Sequence, residues 1–146
     1  MRLDRIIPVL LVLILTIPIW GCGSGSTLPG KTGRVFGKAT YKNQAIPAGS
    51  VVVMVHNQTG IVATGVTDSS GEFTVTMRGR PEVLVGDYRV NIKPVGEVPD
   101  NVNKLTPETV PDTWKAIPQK YWSGGESPET FVVKEGNNRY ELTLSD

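Results

Sequence analysis

The chain has 146 residues, a formal net charge of +1 and 39% hydrophobic residues, enough for one small domain and no more. Its single cysteine excludes an internal disulfide, and one cysteine with one histidine excludes the usual zinc ligand sets. Balanced charge without a run of Lys and Arg removes the electrostatic footprint of a nucleic-acid binder.

The amino terminus reads as an export signal. Met1-Arg2-Leu3-Asp4-Arg5 sets two arginines against one aspartate, and Ile6 to Trp20 is apolar apart from Thr16, with Pro8 and Pro18 inside it. A basic start, a short apolar stretch and a small residue at Gly21 are the layout of a secretory signal peptide over residues 1–21. As a helix the apolar stretch would reach only about 22 Å, short of the ~30 Å bilayer core, and its prolines weaken a span further. An uncleaved transmembrane anchor is the competing reading.

Ile19-Trp20-Gly21-Cys22 resembles the bacterial lipobox. The resemblance implies a thioether lipid on Cys22, cleavage after Gly21 and acylation of the new amino terminus, with palmitate among the expected chains. One acyl chain binds a membrane only marginally and stable anchoring takes two or more, so three chains would make the tether permanent. Gly23 stands where an inner-membrane retention signal would carry Asp, which directs the expectation to the outer membrane, on its periplasmic or surface face.

Cleavage would leave thirteen basic and thirteen acidic residues. Residues 22–33, rich in Gly, Ser and Thr, read as a flexible tether. Gly25-Ser26-Thr27-Leu28-Pro29-Gly30-Lys31-Thr32 formally matches a phosphate-binding loop, but that loop must follow a buried strand and open a helix. Here a lipid anchor precedes it and a β-rich run follows, so the match is read as coincidence.

From Arg34 the pattern has a period of two, the signature of strands. Val35, Gly37, Ala39 and Tyr41 alternate with polar residues; Ser50 to His56 is a valine-rich run expected of a well-buried strand; Ile61 to Thr67 is a third stretch. Phe73, Val75 and Met77, then Tyr88, Val90 and Ile92, then Thr130 to Lys134, then Tyr140, Leu142 and Leu144 bring the total to about seven strands. Asn57-Gln58-Thr59-Gly60, Asp68-Ser69-Ser70-Gly71 and Glu135-Gly136-Asn137-Asn138 are polar tetrapeptides of the kind that close hairpins. The fold expected over 34–146 is all-β, a single antiparallel sandwich, with one helical turn at most near Thr113 to Ile117.

Gly33 to Val53, with its Gly49 and Pro47, resembles the opening of carboxypeptidase-regulatory-like, or transthyretin-like, domains. Thr67-Asp68-Ser69-Ser70-Gly71-Glu72-Phe73 resembles their T-D-x-x-G-x-F hairpin, and Val85-Gly86-Asp87-Tyr88-Arg89-Val90 their entry to a later strand. Ile117-Pro118-Gln119-Lys120-Tyr121-Trp122 is similar to a segment of small exported lipoproteins. The resemblance spans Gly33 to Asp146 and implies a fold more than an activity. Asn43 replaces the usual Gly, a residue able to enter the left-handed region.

No constellation of catalytic or metal-ligating residues emerges. Asp68 with Gly71 and Glu72 lacks the further oxygen ligands of a calcium loop and reads as a turn cap. His56 has no nucleophile elbow to serve and reads as a turn or strand-edge residue. Asn57-Gln58-Thr59 fits a glycosylation sequon that a bacterial context leaves unused. The long proline-rich loop 94–129 carries Trp114, Tyr121 and Trp122, which either fold back over an open end of the sandwich or form a platform for a glycan or a peptide.

The expected function is therefore a non-enzymatic, cofactor-free, lipid-anchored envelope module with a structural or protein-interaction role. Its partners would be the membrane through Cys22 and an envelope protein or glycan. A carbohydrate- or peptide-binding lipoprotein is the alternative. A purine-metabolite hydrolase of transthyretin-like type would need several histidines beyond His56.

Overall fold

A computed structural model describes residues 28–94 and 105–146; Cys22, the segment 1–21 read above as a signal peptide, and residues 22–27 and 95–104, read above as parts of a tether and a long loop, lie outside the described residues. The described chain is all-β. It forms strands β1 Thr32–Tyr41, β2 Gln44–Ala45, β3 Val51–His56, β4 Val62–Val66, β5 Glu72–Met77, β6 Val83–Leu84, β7 Gly86–Lys93, β8 Thr130–Val133 and β9 Gly136–Leu144. Helix among the described residues is limited to two 3-10 turns, Asp112–Trp114 and Gln119–Tyr121.

Hydrogen bonding runs continuously in the order β2-β1-β5-β4-β3-β7-β8, and the sheet curls so that its two wings face each other. The hinge is β5: Glu72 to Thr74 pair with β1, and Val75 to Met77 pair with β4. All pairings are antiparallel except that of β9, which lies parallel to β1 from Gly33↔Gly136 to Tyr41↔Leu144. Because β9 occupies one edge of β1 from Gly33 to Tyr41, the short partners β6, β5 and β2 share the other.

Two glycines make the parallel pairing possible. A Cβ on Gly37 would sit 1.8 Å from the Tyr140 carbonyl oxygen, and one on Gly33 would sit 2.1 Å from that of Lys134. Only a residue without a side chain lets the two backbones approach so closely.

The hairpin tetrapeptides divide. Asn57 to Gly60 and Asp68 to Gly71 do join antiparallel neighbours, β3 to β4 and β4 to β5. Glu135 to Asn138 does not: β8 pairs with β7 and β9 with β1, so the connection crosses from one wing to the other, and β9 already begins at Gly136. Asn138 secures the crossing, its Oδ1 accepting from the Lys134 N–H while its Nδ2 donates to the carbonyls of Lys134, Gly136 and Arg34. Strand β1 likewise starts at Thr32, inside the segment expected to be tether, because Thr32 and Gly33 pair with Leu84 and Val83. Between β1 and β2, Lys42 and Asn43 take φ of 50° and 64°, the two left-handed positions of a tight hairpin turn.

Alternation places Val35, Ala39, Val52, Met54, Phe73, Val75, Met77, Tyr88, Val90, Leu142 and Leu144 in one core. Burial of each Val, Leu, Met or Phe among them is worth roughly 1.5–3 kcal/mol before chain entropy is charged against it. The valine run of β3 departs from expectation, since only its Val52 and Met54 face are buried while Val51, Val53 and Val55 point outward, partly exposed. As a central strand of a single curled layer, β3 has a core on one side only.

Candidate interaction surface

On the outer surface Phe36 of β1 lies between Arg139 of β9 and Thr74 of β5, each directly opposite it in the ladder. With Gly37, Val66, Asp68, Glu72 and Phe73 these residues line an open groove of about 490 Å³. Among the described residues, two of the four large hydrophobic residues most exposed to solvent are here, Phe36 at 37% and Val66 at 58%; the others are Val62 and Val132. The strand period explains Phe36 and Val66. Each occupies an outward register position at which a polar residue would satisfy the alternation.

The groove is acidic at one end and basic at the other. Asp68 turns its carboxylate onto its own hairpin, where Oδ1 accepts from the Ser70 N–H at 2.8 Å, the Ser70 hydroxyl at 2.7 Å and the Glu72 N–H at 3.0 Å. The Ser70 hydroxyl, followed by its N–H, holds the Asp68 pKa below the usual carboxylate range. With Gly71 at φ +79°, this is a capped turn, and its carboxylate is occupied in capping. At the other end Arg139 is ion-paired through Nε to Glu141, on the same strand and face.

The remaining sequence candidates are in the interior. Trp114, Tyr121 and Trp122 are all buried, joining Val110 and Ile117 in the core, so they do not form the exposed platform considered from the sequence. Tyr121 is fixed by its hydroxyl, which accepts from the Ser145 N–H at 2.9 Å and donates to the Ser145 carbonyl at 3.1 Å. Asn91 lies beneath Trp122, donating weakly to its carbonyl at 3.5 Å, and the Trp122 Nε1 is buried without a hydrogen-bond partner. Burial outweighs display because β8 pairs with β7 only as far as Arg89, leaving the far half of β7 for the segment 105–129 to cover.

His56 is buried against Tyr88, ring centroids 5.0 Å apart. Its Nδ1 accepts from the Thr59 N–H at 3.2 Å and lies 3.0 Å from the Thr59 hydroxyl, and its Nε2 faces the Val85 carbonyl at 3.2 Å. Gly86 must be glycine beside it, since a Cβ there would lie 2.4 Å from Nε2. Both ring nitrogens serve structure. Among the described residues no three of His, Cys, Asp and Glu gather as metal ligands, and no helix is long and apolar enough to cross a membrane. Gly30-Lys31-Thr32 leads into strand β1 rather than a helix, with Lys31 ion-paired to Glu135.

The groove escaped sequence reading because its residues come from four strands and a hairpin. The one available signal was Phe36, an aromatic on the polar phase of its strand.

No family model matches the chain, and no curated protein matches it. Two solved structures resemble it. A DUF3823 family protein from Parabacteroides merdae aligns with 78% of this chain and 46% of its own length, at 13% identity and a TM-score of 0.45. A leucine-rich repeat protein from Bacteroides thetaiotaomicron aligns with 80% of this chain and 12% of its own, at 17% identity and a TM-score of 0.41. The chain thus spans less than half of either neighbour.

Proposed function

We propose that this protein is a non-catalytic, lipid-anchored module of the cell envelope, of the carboxypeptidase-regulatory-like type, that works by protein–protein contact. The lipobox-like Ile19-Trp20-Gly21-Cys22 motivates the anchor. The observation that carries the interaction role is the outer groove, where Phe36 and Val66 lie exposed between acidic and basic ends. An exposed apolar patch with a polar rim is the usual form of a recognition site. The family assignment draws on the Thr67 to Phe73 hairpin motif, whose Asp68 and Gly71 form the capped turn described above.

Two arms test the reading. Cys22→Ser should move the protein from the membrane to a soluble fraction or leave it unprocessed; unchanged lipid labelling and membrane association would refute the anchor. Affinity capture from the protein's own envelope should then return partners that Phe36→Ser and Val66→Asp each lose, with the fold retained by circular dichroism. Partners held equally by wild type and both variants would refute the groove.

A further inference from the structure

Strand β9 is nine residues long and pairs with β1 along one edge only. Among the described residues no backbone hydrogen bond reaches its other edge. A long free edge can accept another strand, and natural edges are commonly blunted by charged side chains, lysine above all, by proline, by a bulge or by a covering segment. β9 contains no lysine and no proline.

Its outward row instead reads Asn137, Arg139, Glu141, Thr143, and its inward row Gly136, Asn138, Tyr140, Leu142, Leu144. The midpoint of the strand is Tyr140. An antiparallel two-fold about that residue sets Arg139 opposite the partner's Glu141 twice over, Asn137 opposite the partner's Thr143, and overlaps all nine residues. Residues facing one another across an antiparallel pair lie on the same side of the sheet, so inward rows meet inward rows. Shifting the centre to 139 sets arginine against arginine, and shifting it to 141 sets glutamate against glutamate. Centring between residues would place inward side chains on the solvent side. Full overlap, matched faces and charge complementarity therefore coincide at one register.

The charges are accessible to such a partner, which would exchange their present pairing for one across the edge. Arg139 and Glu141 have side chains 62% and 55% exposed and at present pair with each other. Lys38 of β1 lies beside Glu141 in the ladder and Phe36 beside Arg139, so the acid would stand between two bases and the base would carry no like charge alongside.

We infer that β9 is a self-complementary edge through which two copies of this chain pair antiparallel about Tyr140, joining their sheets into one. The inference shares Arg139 with the groove reading but is read out separately, as self-association of the purified chain, and Phe36→Ser and Val66→Asp test the groove without touching the register.

Sedimentation equilibrium of the whole purified chain in density-matched detergent should show a monomer–dimer equilibrium. Arg139→Glu sets acid against acid and Glu141→Arg sets base against base, so each alone should weaken self-association about tenfold. An equimolar mixture of the two variants should regain dimer, because one then carries two acids and the other two bases along the edge. That recovery would also show that both variants are folded. A monomer at all concentrations, or a dimer indifferent to both substitutions and to their mixing, would overturn the inference.

Discussion

The strand frame and the segment 105–129 build one core by opposite means. In the frame, backbone ladders set the spacing and every second side chain enters the interior. In the segment, five buried residues, Val110, Trp114, Ile117, Tyr121 and Trp122, plug the gap beyond the end of β8, with two single 3-10 turns between them. The frame is held by many regularly placed contacts that must form together. The segment is held by a few large side chains and a few polar ties. The lesson is that the close approaches of β1, at Gly33 and Gly37, tolerate no added atom, whereas the plug should loosen locally before the frame gives way.

The largest expected effect tests the first half of that contrast. Gly37→Ala drives a methyl group into the Tyr140 carbonyl at 1.8 Å and can be relieved only by parting β9 from β1. We expect a loss of more than about 4 kcal/mol, enough to unfold a marginal domain, read by urea denaturation. A variant as stable as wild type would mean that the parallel pairing is not as described.

Next comes the plug. Trp114→Ala removes a fully packed indole and should cost about 3 kcal/mol. Hydrogen exchange should show protection lost first across 105–129 while β3 and β7 keep theirs. Simultaneous loss everywhere would erase the distinction between the two regions. Tyr121→Phe is milder: the ring stays, but the Ser145 N–H and carbonyl lose their partner, at about 1–2 kcal/mol, and the carboxyl-terminal residues should exchange faster.

The smallest effect is one of pH, and it lies at the junction of the regions. Burial raises the Glu129 pKa, outweighing the opposing contributions of Tyr140 and Lys120, and burial likewise pushes the Tyr140 phenol upward. An acid whose folded pKa is raised binds its proton more tightly in the native state, so its ionisation costs stability once pH exceeds the unfolded value near 4.5. Glu129→Gln should therefore raise Tm at pH 7 and leave it nearly unchanged at about pH 3.5. Asp68, Asp112 and Asp146 behave oppositely. Hydrogen bonds from Ser70, Lys115 and Tyr41 respectively lower their pKa values, so their contributions hold above the unfolded value and fade as pH falls through the folded ones. Wild type should lose stability in acid, and equal Tm shifts for Glu129→Gln at both pH values would disprove the assignment.

Much of the frame was legible because alternation is a local property. Val35 and Ala39, Phe73 and Val75, or Tyr88 and Val90 reveal an inward phase to anyone reading with period two, and Asp68 with Gly71 announces its turn. The outer groove was not legible, because Phe36, Val66 and Arg139 are distant in the chain and become neighbours only when the ladder registers are set.

By itself the sequence determined the all-β class, the phase of β1, β5, β7 and β9 and the two hairpin turns, since propensity and turn chemistry act within a few residues. Only the tertiary structure decided that β9 runs parallel to β1, that Glu135 to Asn138 is a crossing between wings, and that Trp114, Tyr121 and Trp122 face inward. Those outcomes depend on which edge remains unpaired and which gap remains unfilled once the other strands are in place. Both are sums over long-range contacts, and no local pattern encodes them.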